Sequence, residues 1–261
     1  MIILSLSLII LISCSSQKII CKQPYIEYKS DECCLDKNAN NICDDDENEK
    51  EDIIQVDSII PKVIEGKTLE GNFFIGFENA PIIVTMYGQY GYWSARFHRL
   101  TYSKIKEEYI STGKIKFIVK DYTKKCIDET FCIDAFSVTP VEVMRCAGEQ
   151  DKYWEVRDKI LRHPRWETYP DDETVFTEDE LIEIASQIEG VNKFLLESCV
   201  GKGIYNSQME KDTTDAINNG VQGTPGFLIN GKLISGAQSF EVFKEIIDEQ
   251  LNKNYEKKIS S

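Results

Sequence analysis

The fold is decided by the run Ile82-Ile83-Val84-Thr85-Met86-Tyr87 and by the residues after it, Gly88-Gln89-Tyr90-Gly91-Tyr92-Trp93-Ser94-Ala95-Arg96-Phe97-His98. The first run is apolar and rich in β-branched residues, which is typical of a strand buried on both faces. An amphipathic helix is predicted over about residues 94–111. Its inward-facing stripe consists of Phe97, Leu100, Ile105 and Tyr109. Residues 116–120 form the next strand, so a right-handed βαβ unit with parallel strands is expected.

The C-terminal half predicts two further strands and a final helix. Phe227-Leu228-Ile229-Asn230-Gly231-Lys232-Leu233-Ile234 is a hairpin that turns at Asn-Gly, and a helix follows Ser239. A helical insertion of about residues 122–215 separates the halves. Within it, Thr139-Pro140-Val141-Glu142 predicts the capping-box start of a helix that runs through Trp154, and Thr177-Glu178-Asp179-Glu180 predicts the start of another helix. The expected fold class is therefore α/β, with βαβ and then ββα on one mixed central sheet.

The composition limits the partners and cofactors. The chain has 261 residues with 44 acidic and 30 basic side chains, which gives a formal net charge of −14. Nucleic-acid backbones and anionic lipid would repel such a chain, so neither is expected as a partner. Nine cysteines accompany only two histidines, and no Cys-x-x-Cys occurs. Disulfides are therefore expected rather than zinc, and no organic cofactor is implied.

The N-terminus predicts export. Residues 1–13 are a nearly unbroken apolar run, which at about 1.5 Å per residue reaches only about 20 Å, too short to span a bilayer. The run therefore indicates a signal peptide. Leu11-Ile12-Ser13-Cys14 also resembles a lipoprotein box, in which Cys14 becomes the lipidated first residue. Ordinary cleavage nearby or an uncleaved anchor is the alternative. The mature protein is expected outside the cytoplasm, secreted or anchored to the outer face of the cell membrane.

Residues 14–66 predict a small Cys-rich stalk ahead of a packed domain, residues 67–254, and a tail, residues 255–261. The stalk cannot bury enough apolar area to fold without disulfides or metal. One segment places oxygen donors at positions 1, 3, 5, 7, 9 and 12 of an EF-hand calcium loop. These residues are Asp36, Asn38, Asn40, Ile42 (through its carbonyl), Asp44 and Glu47. Asn41 can supply the left-handed turn at position 6. A structural Ca²⁺ site is expected, with a plain acidic linker as the alternative.

The stalk also holds four cysteines. Cys21, Cys33, Cys34 and Cys43 allow three disulfide pairings, and the sequence does not choose among them. If Cys14 is lipidated or removed, eight cysteines remain in the chain, an even number suited to an oxidising compartment.

Four further motifs occur in order between residues 70 and 250. They are Phe77-Glu78-Asn79-Ala80-Pro81, Ala95-Arg96-Phe97-His98, the segment from Cys146 to Trp154, and Gly220-Val221-Gln222-Gly223-Thr224-Pro225-Gly226-Phe227. Together they resemble the DsbA-like thioredoxin-fold disulfide oxidoreductases, whose first long strand, active-site helix, helical lid and cis-proline loop they match. The resemblance implies a thioredoxin fold with a helical lid and a cis bond before Pro225. It also implies extended or unfolded polypeptide as the partner.

The departure from that family lies at the chemistry. Gly91 and Ser94 stand where relatives carry the Cys-x-x-Cys, and no cysteine occurs between Cys43 and Cys126. Dithiol exchange needs a low-pKa thiolate and a second, resolving thiol, which these two residues cannot provide. Ser94 is expected as a helix N-cap. A serine nucleophile is not expected, because no carboxylate adjoins Ser94 in the sequence.

The aromatic residues of the same turn suggest binding instead. Tyr90, Tyr92 and Trp93 are expected to form an aromatic rim that suits apolar peptide segments. With Thr224 and Pro225 they make up the predicted peptide-binding residues. Core packing is the alternative for one or two of the aromatic side chains.

The remaining cysteines follow from the resemblance and from their spacing. Cys146 and Cys199 fall where relatives often have a structural disulfide that ties the lid. Cys126 and Cys132, in the loop after the second strand, are expected to form a local structural disulfide. A relocated redox pair is the distinct alternative for these two.

Three functional classes compete at this point. The first is an exported DsbA-like protein that has lost its dithiol and binds extended polypeptide as a chaperone, adaptor or scaffold. The second is a thiol-disulfide oxidoreductase that uses Cys126 and Cys132. The third is a calcium-dependent structural protein of the cell surface. Fold alone cannot choose among them, because function depends on the site.

Overall fold

The structure is a computed structural model that describes residues 20–28, 32–37, 39, 41, 43–44, 63–123, 135–167 and 176–259. The chain divides into two compact units, residues 1–61 and 62–261. None of the helices in the described part combines the length and the apolar character that a bilayer crossing requires.

The smaller unit is a disulfide-stapled hairpin. Strands β1 (Tyr25–Tyr28) and β2 (Glu32–Leu35) are antiparallel. Disulfides join Cys21 to Cys33 and Cys34 to Cys43, one of the three pairings that the sequence allows. Because two short strands cannot build a stable core alone, the covalent links constrain this unit.

A six-stranded mixed sheet organises the larger unit, with strand order β3-β4-β6-β5-β7-β8. The strands are β3 (Ile64–Lys67), β4 (Phe73–Gly76), β5 (Ile82–Gly88), β6 (Ile115–Asp121), β7 (Gly226–Ile229) and β8 (Lys232–Ser235). Only β5 and β6 pair in parallel, which confirms the predicted βαβ unit. Strand β3 pairs with β4, so this unit includes residues that the sequence analysis placed in the stalk.

The hairpin prediction is also confirmed. Asn230 and Gly231 both have positive φ, 45° and 85°, and the flanking strands β7 and β8 pair antiparallel. This is the backbone that Asn-Gly favours in a two-residue hairpin turn.

Helices cover the sheet and form the insertion. Helix α1 covers residues 92–110, and the others are α2 (Ala135–Gly148), α3 (Tyr153–Leu161), a 3₁₀ turn (Pro164–Glu167), α4 (Glu178–Ser186), α5 (Lys193–Cys199), α6 (Asn206–Asn218) and α7 (Phe240–Ile259). Helix α4 begins where the sequence predicts, and Thr177 caps it in a capping box with Glu180. Cys146 and Cys199 form the disulfide implied by the resemblance and tie α2 to α5.

Helix α2 begins earlier than predicted. The capping-box pattern places the start at Thr139, whereas the helix begins at Ala135 and contains Pro140. Pro140 is the sixth residue of this helix, beyond the first four, whose N–H groups have no helical partner, so it removes one helical hydrogen bond. The predicted single helix through Trp154 is likewise two helices, interrupted at Asp151, whose φ is 58°.

Helix α1 winds more widely than an α-helix. It consists of Tyr92–Phe97, His98–Tyr102, Ser103–Ile105 and Lys106–Ile110, and the second and fourth segments are π-helical. Its buried residues therefore recur every four positions rather than at the α-helical 3.6. One such row consists of Phe97, Thr101, Ile105 and Tyr109. The prediction that Leu100 is buried is wrong: the wide winding turns it outward, and it is 58% exposed.

Candidate functional site

The candidate site is the turn between β5 and α1. Gly91 is the N-cap of α1 with an extended backbone (φ −166°), and no side chain caps the helix. The Ala95 N–H donates to the Gly91 carbonyl at 2.9 Å. A Cβ at Gly91 would meet no atom within 4 Å, so this position faces open space.

Ser94 lies inside the helix rather than at its cap, which makes the N-cap prediction wrong. It is buried, and its hydroxyl donates to the Gln89 carbonyl. Because helix α1 begins two residues earlier, at Tyr92, Gly91 takes the cap position instead. The Ser94 hydroxyl is thus engaged with backbone and covered from solvent.

The three aromatic residues of the turn separate into two groups. Trp93 is 55% exposed and makes an edge contact with Tyr92 at 5.0 Å between ring centroids. Tyr90 points inward, so its predicted place in an exposed rim is wrong. Its hydroxyl lies 3.0 Å from the hydroxyl of Tyr153, which is the first residue of α3. Burial raises the pKa of both phenols, so both stay neutral. This pair of hydroxyls connects the turn to the helical insertion.

The predicted cis-proline loop lies beside the same turn. The Thr224–Pro225 bond is cis, as expected, and Pro225 is buried. The Thr224 hydroxyl faces the Gln89 side chain at 3.4 Å. Among the described residues, no hydrogen bond involves the backbone N–H or C=O groups of Gln222, Gly223 or Thr224. Gln222 and Gly223 are exposed. A stretch of backbone with no hydrogen-bond partner in the described part of the chain therefore lies beside Gln89, in the turn before α1.

A buried hydrogen-bonded chain lies one turn further along α1. Arg157 donates from Nη1 to Nδ1 of His98 at 3.0 Å, and Nε2 of His98 donates to Asp158 at 2.7 Å. Burial lowers the pKa of His98 to about 4, so the ring is neutral at physiological pH. Burial alone would raise the pKa of Asp158, but hydrogen bonds from His98 and Arg162 lower it to about 2.

This arrangement excludes a serine-hydrolase triad. Both ring nitrogens of His98 are occupied, and the Ser94 hydroxyl donates to a carbonyl. A triad requires one imidazole nitrogen to accept from the serine.

A second buried ionic cluster holds the end of β6 against the insertion. Arg145 donates from Nε to the Asp121 carboxylate at 2.6 Å and from Nη2 to Asp212 at 3.1 Å. Asp212 also accepts from the Asp121 backbone N–H at 3.1 Å. Burial and the Asp121 charge raise the pKa of Asp212 to about 6. The cluster joins β6, α2 and α6.

Several predicted site residues lie outside the described residues. They are Cys14, Cys126, Cys132, Asn38, Asn40, Ile42 and Glu47. Of the proposed calcium loop, Asp36 and Asp44 are described. The Asp36 carboxylate accepts from the Asn41 N–H at 2.9 Å, and Asn41 has the predicted left-handed backbone with φ 65°. Calcium binding itself stays a prediction.

Comparison with known proteins defines the class. A family model described as thioredoxin matches residues 68–249, and the chain belongs to this family. Disulfide bond formation protein D of Bacillus subtilis is 23% identical over 192 residues, which cover 70% of this chain and 79% of that protein.

Solved structures place the fold among the DsbA-like members. Oxidised BdbD from Bacillus subtilis is 22% identical with a TM-score of 0.58, over 73% of this chain and 99% of that one. α-DsbA1 of Wolbachia pipientis is 22% identical with a TM-score of 0.60, over 73% and 96%. The fold is thus a DsbA-like thioredoxin fold with a helical insertion.

Sequence reasoning missed the partners that surround the turn. Gln89 receives contacts from both Ser94 and Thr224, yet nothing in its local sequence marks it. The Arg157–His98–Asp158 chain joins residues about sixty positions apart. The local sequence does not single out this pair, because Glu155 and Lys159 on the same helix are charged as well.

Proposed function

We propose that this protein binds extended or unfolded polypeptide, as a chaperone, adaptor or scaffold, in a groove that consists of Tyr92, Trp93 and residues 222–224. It does so without dithiol exchange at this site, because Gly91 and Ser94 carry no sulfur. Two observations carry the proposal: within the described residues no hydrogen bond takes up the backbone of residues 222–224, and Trp93, at the start of the neighbouring helix, is 55% exposed.

Unpaired backbone is the feature that an added peptide strand uses. Each amide–carbonyl hydrogen bond contributes about 0.5–1.5 kcal/mol net, and backbone pairing is indifferent to client sequence. The exposed Trp93 ring adds an apolar contact surface. A groove with both features suits clients that are extended and partly apolar, which describes unfolded polypeptide.

Binding to a permanently unfolded, cysteine-free model polypeptide is the direct test. We expect Trp93→Ala to weaken binding at least about tenfold, the loss typical of an exposed aromatic anchor at an interface. Phe194→Ala is the matched control, because Phe194 is an aromatic residue 74% exposed on α5.

A backbone-modified client tests the hydrogen bonds without altering the protein. A peptide with alternate amides N-methylated keeps its side chains but loses donors, and we expect it to bind much more weakly than its parent. Equal binding of both peptides, or equal loss in Trp93→Ala and Phe194→Ala, would rule out the groove.

For the smaller unit we propose a structural Ca²⁺ site. The left-handed Asn41 and the Asp36 carboxylate that accepts its N–H support a loop with EF-hand spacing. Titration calorimetry with Ca²⁺ should show binding in the range of about 10⁻⁴–10⁻³ M that extracellular modules have. Asp36→Asn should abolish it while the peptide groove still binds its client. Heat changes unaltered by Asp36→Asn would refute the site.

We further propose an extracytoplasmic location, with Cys14 as a lipid anchor. Three disulfides in the described residues fit an oxidising compartment. Mass analysis of the N-terminal peptide from cells decides the matter: a diacylglyceryl-modified Cys14 is expected, and an unmodified cysteine in a cytosolic fraction would contradict the proposal.

A further inference from the structure

A row of exposed residues on α1 continues from the groove along the helix. The row, termed the ridge, consists of Trp93, Arg96, Leu100 and Lys104. Trp93 and Leu100 are 55% and 58% exposed, and Arg96 and Lys104 are exposed as well. At about 1.5 Å per residue the ridge is about 16 Å long, which a segment of about five extended residues would cover. Apolar and cationic groups therefore alternate over a length that suits one short segment.

The two cations of the ridge have no ion-pair partner among the described residues. Within the described residues Arg96 pairs with no carboxylate, and its guanidinium lies 5.9 Å from the centroid of the Trp93 ring. Lys104 lies 5.5 Å from the Phe240 ring. The pKa of Glu241 is lowered mainly by hydrogen bonds from the Glu241 backbone and from Ser239, and the positive charge of Lys104 contributes less. By contrast Arg99, on the same helix, is held by Glu167 at 3.4 Å.

The charge of the ridge is opposite to that of the chain. The protein carries a formal net charge of −14, yet the first turn of α1 contains no acidic residue. At the same spacing the next exposed position of this row is Glu108, where the sign changes and the ridge ends. Because charges are screened beyond about 8 Å at physiological ionic strength, a docked segment would respond to the ridge and to the carboxylates beside it, Glu108 and Glu241, more than to the net charge of the whole chain.

We infer that the ridge docks an acidic, partly apolar segment of the client polypeptide. Client carboxylates meet Arg96 and Lys104, and client apolar side chains meet Trp93 and Leu100. The inference rests on the proposed polypeptide binding and deepens it. The ridge is continuous with the groove, and the chemistry of its side chains indicates which class of client the protein selects.

Two synthetic peptides of equal length test this with the full chain. Both contain the same leucines, and one carries glutamates where the other carries lysines. Tryptophan emission is a local readout, because Trp154 and Trp166 are buried and Trp93 is exposed. We expect the glutamate peptide to bind at least about tenfold more tightly than the lysine peptide.

Charge-reversal variants locate the selectivity. In Arg96→Glu/Lys104→Glu the preference should reverse, with affinity for the glutamate peptide lowered at least about tenfold. Lys211→Glu is the matched control, because Lys211 is an exposed lysine on α6. It should change affinity less than about twofold. Leu100→Ser should weaken binding of both peptides.

The outcomes separate the inference from the function on which it rests. Equal affinity for both peptides would overturn the inference and leave polypeptide binding standing. Failure to bind either peptide would overturn both. Binding to phosphatidylglycerol vesicles in place of the glutamate peptide, or an oligomeric state that changes in Arg96→Glu/Lys104→Glu, would show that another occupant uses the ridge and would overturn the inference.

Discussion

Restoring two sulfurs to the turn at the start of α1 is the sharpest test of what this scaffold retains. In Gly91→Cys/Ser94→Cys the first cysteine fits without rearrangement, because the Gly91 backbone is extended and a Cβ there meets open space. The second replaces a buried hydroxyl and forfeits its hydrogen bond to the Gln89 carbonyl. That loss costs about 1 kcal/mol, which a folded domain tolerates.

The surroundings predict a reactive thiol at position 91. It would sit at the N-cap of a 19-residue helix whose first turn has no acidic residue. Helix N-termini lower a cysteine pKa from about 8.5 into the range of about 3.5–7.5. A pKa of about 7 corresponds to about 2 kcal/mol of thiolate stabilisation. The pair should then have a reduction potential of about −270 to −120 mV, as dedicated exchange proteins do.

Glutathione redox titration with alkylation and peptide mass mapping measures this directly. The single variants Gly91→Cys and Ser94→Cys are the controls, since neither can form the disulfide between positions 91 and 94. A pair that stays oxidised below about −300 mV, or a thiol at position 91 with an unshifted pKa, would refute the reasoning that the turn keeps a redox-site environment.

Three further predictions concern stability. Because the folded-state pKa of His98 is about 4 and an unfolded histidine titrates near 6.5, acidification from pH 6.5 to 4 should cost about 3 kcal/mol through this residue. Urea unfolding at several pH values should show this loss of stability in the unaltered protein and not in His98→Gln. The raised pKa of Asp212 acts in the opposite direction, but it does so in both proteins. Arg145→Met leaves two buried carboxylates without their cation and should lower the free energy of unfolding by about 3–5 kcal/mol, whereas a loss below 1 kcal/mol would contradict the cluster. The Cys146–Cys199 disulfide closes a long loop, so Cys146→Ser/Cys199→Ser should cost about 2–5 kcal/mol in thermal unfolding, and unchanged stability would argue against a structural role.

Local patterns predicted most of the scaffold. The β5 strand, the Asn-Gly hairpin and the helix start at Thr177 each depend on neighbours in sequence, and each is confirmed, although Ile83 on β5 is 45% exposed, so the predicted burial of both faces is wrong there. These signals work because propensity, turn geometry and capping are properties of a few adjacent residues.

The errors arose where long-range packing overrode a local pattern. Thr139-Pro140 has the form of a helix start, but the helix extends upstream to Ala135. Tyr90 lies in a turn, yet its side chain points inward, where its hydroxyl pairs with the Tyr153 hydroxyl of the insertion. Leu100 fits an α-helical stripe that the π-helical segments do not follow. No window of adjacent residues contains the partners that decide these cases.

The winding of α1 has a consequence for how the protein tolerates substitution. With buried rows spaced by four residues, the tolerant positions of this helix should recur at 96, 100, 104 and 108. In a saturation-mutagenesis profile this helix would therefore show a period close to four, in place of the familiar 3.6. Deleting one residue within His98–Tyr102 would restore the ordinary winding there and change which residues of this segment, Leu100 among them, face the sheet. The winding of this one helix thus determines both which of its residues are buried and which are exposed to solvent and to binding partners.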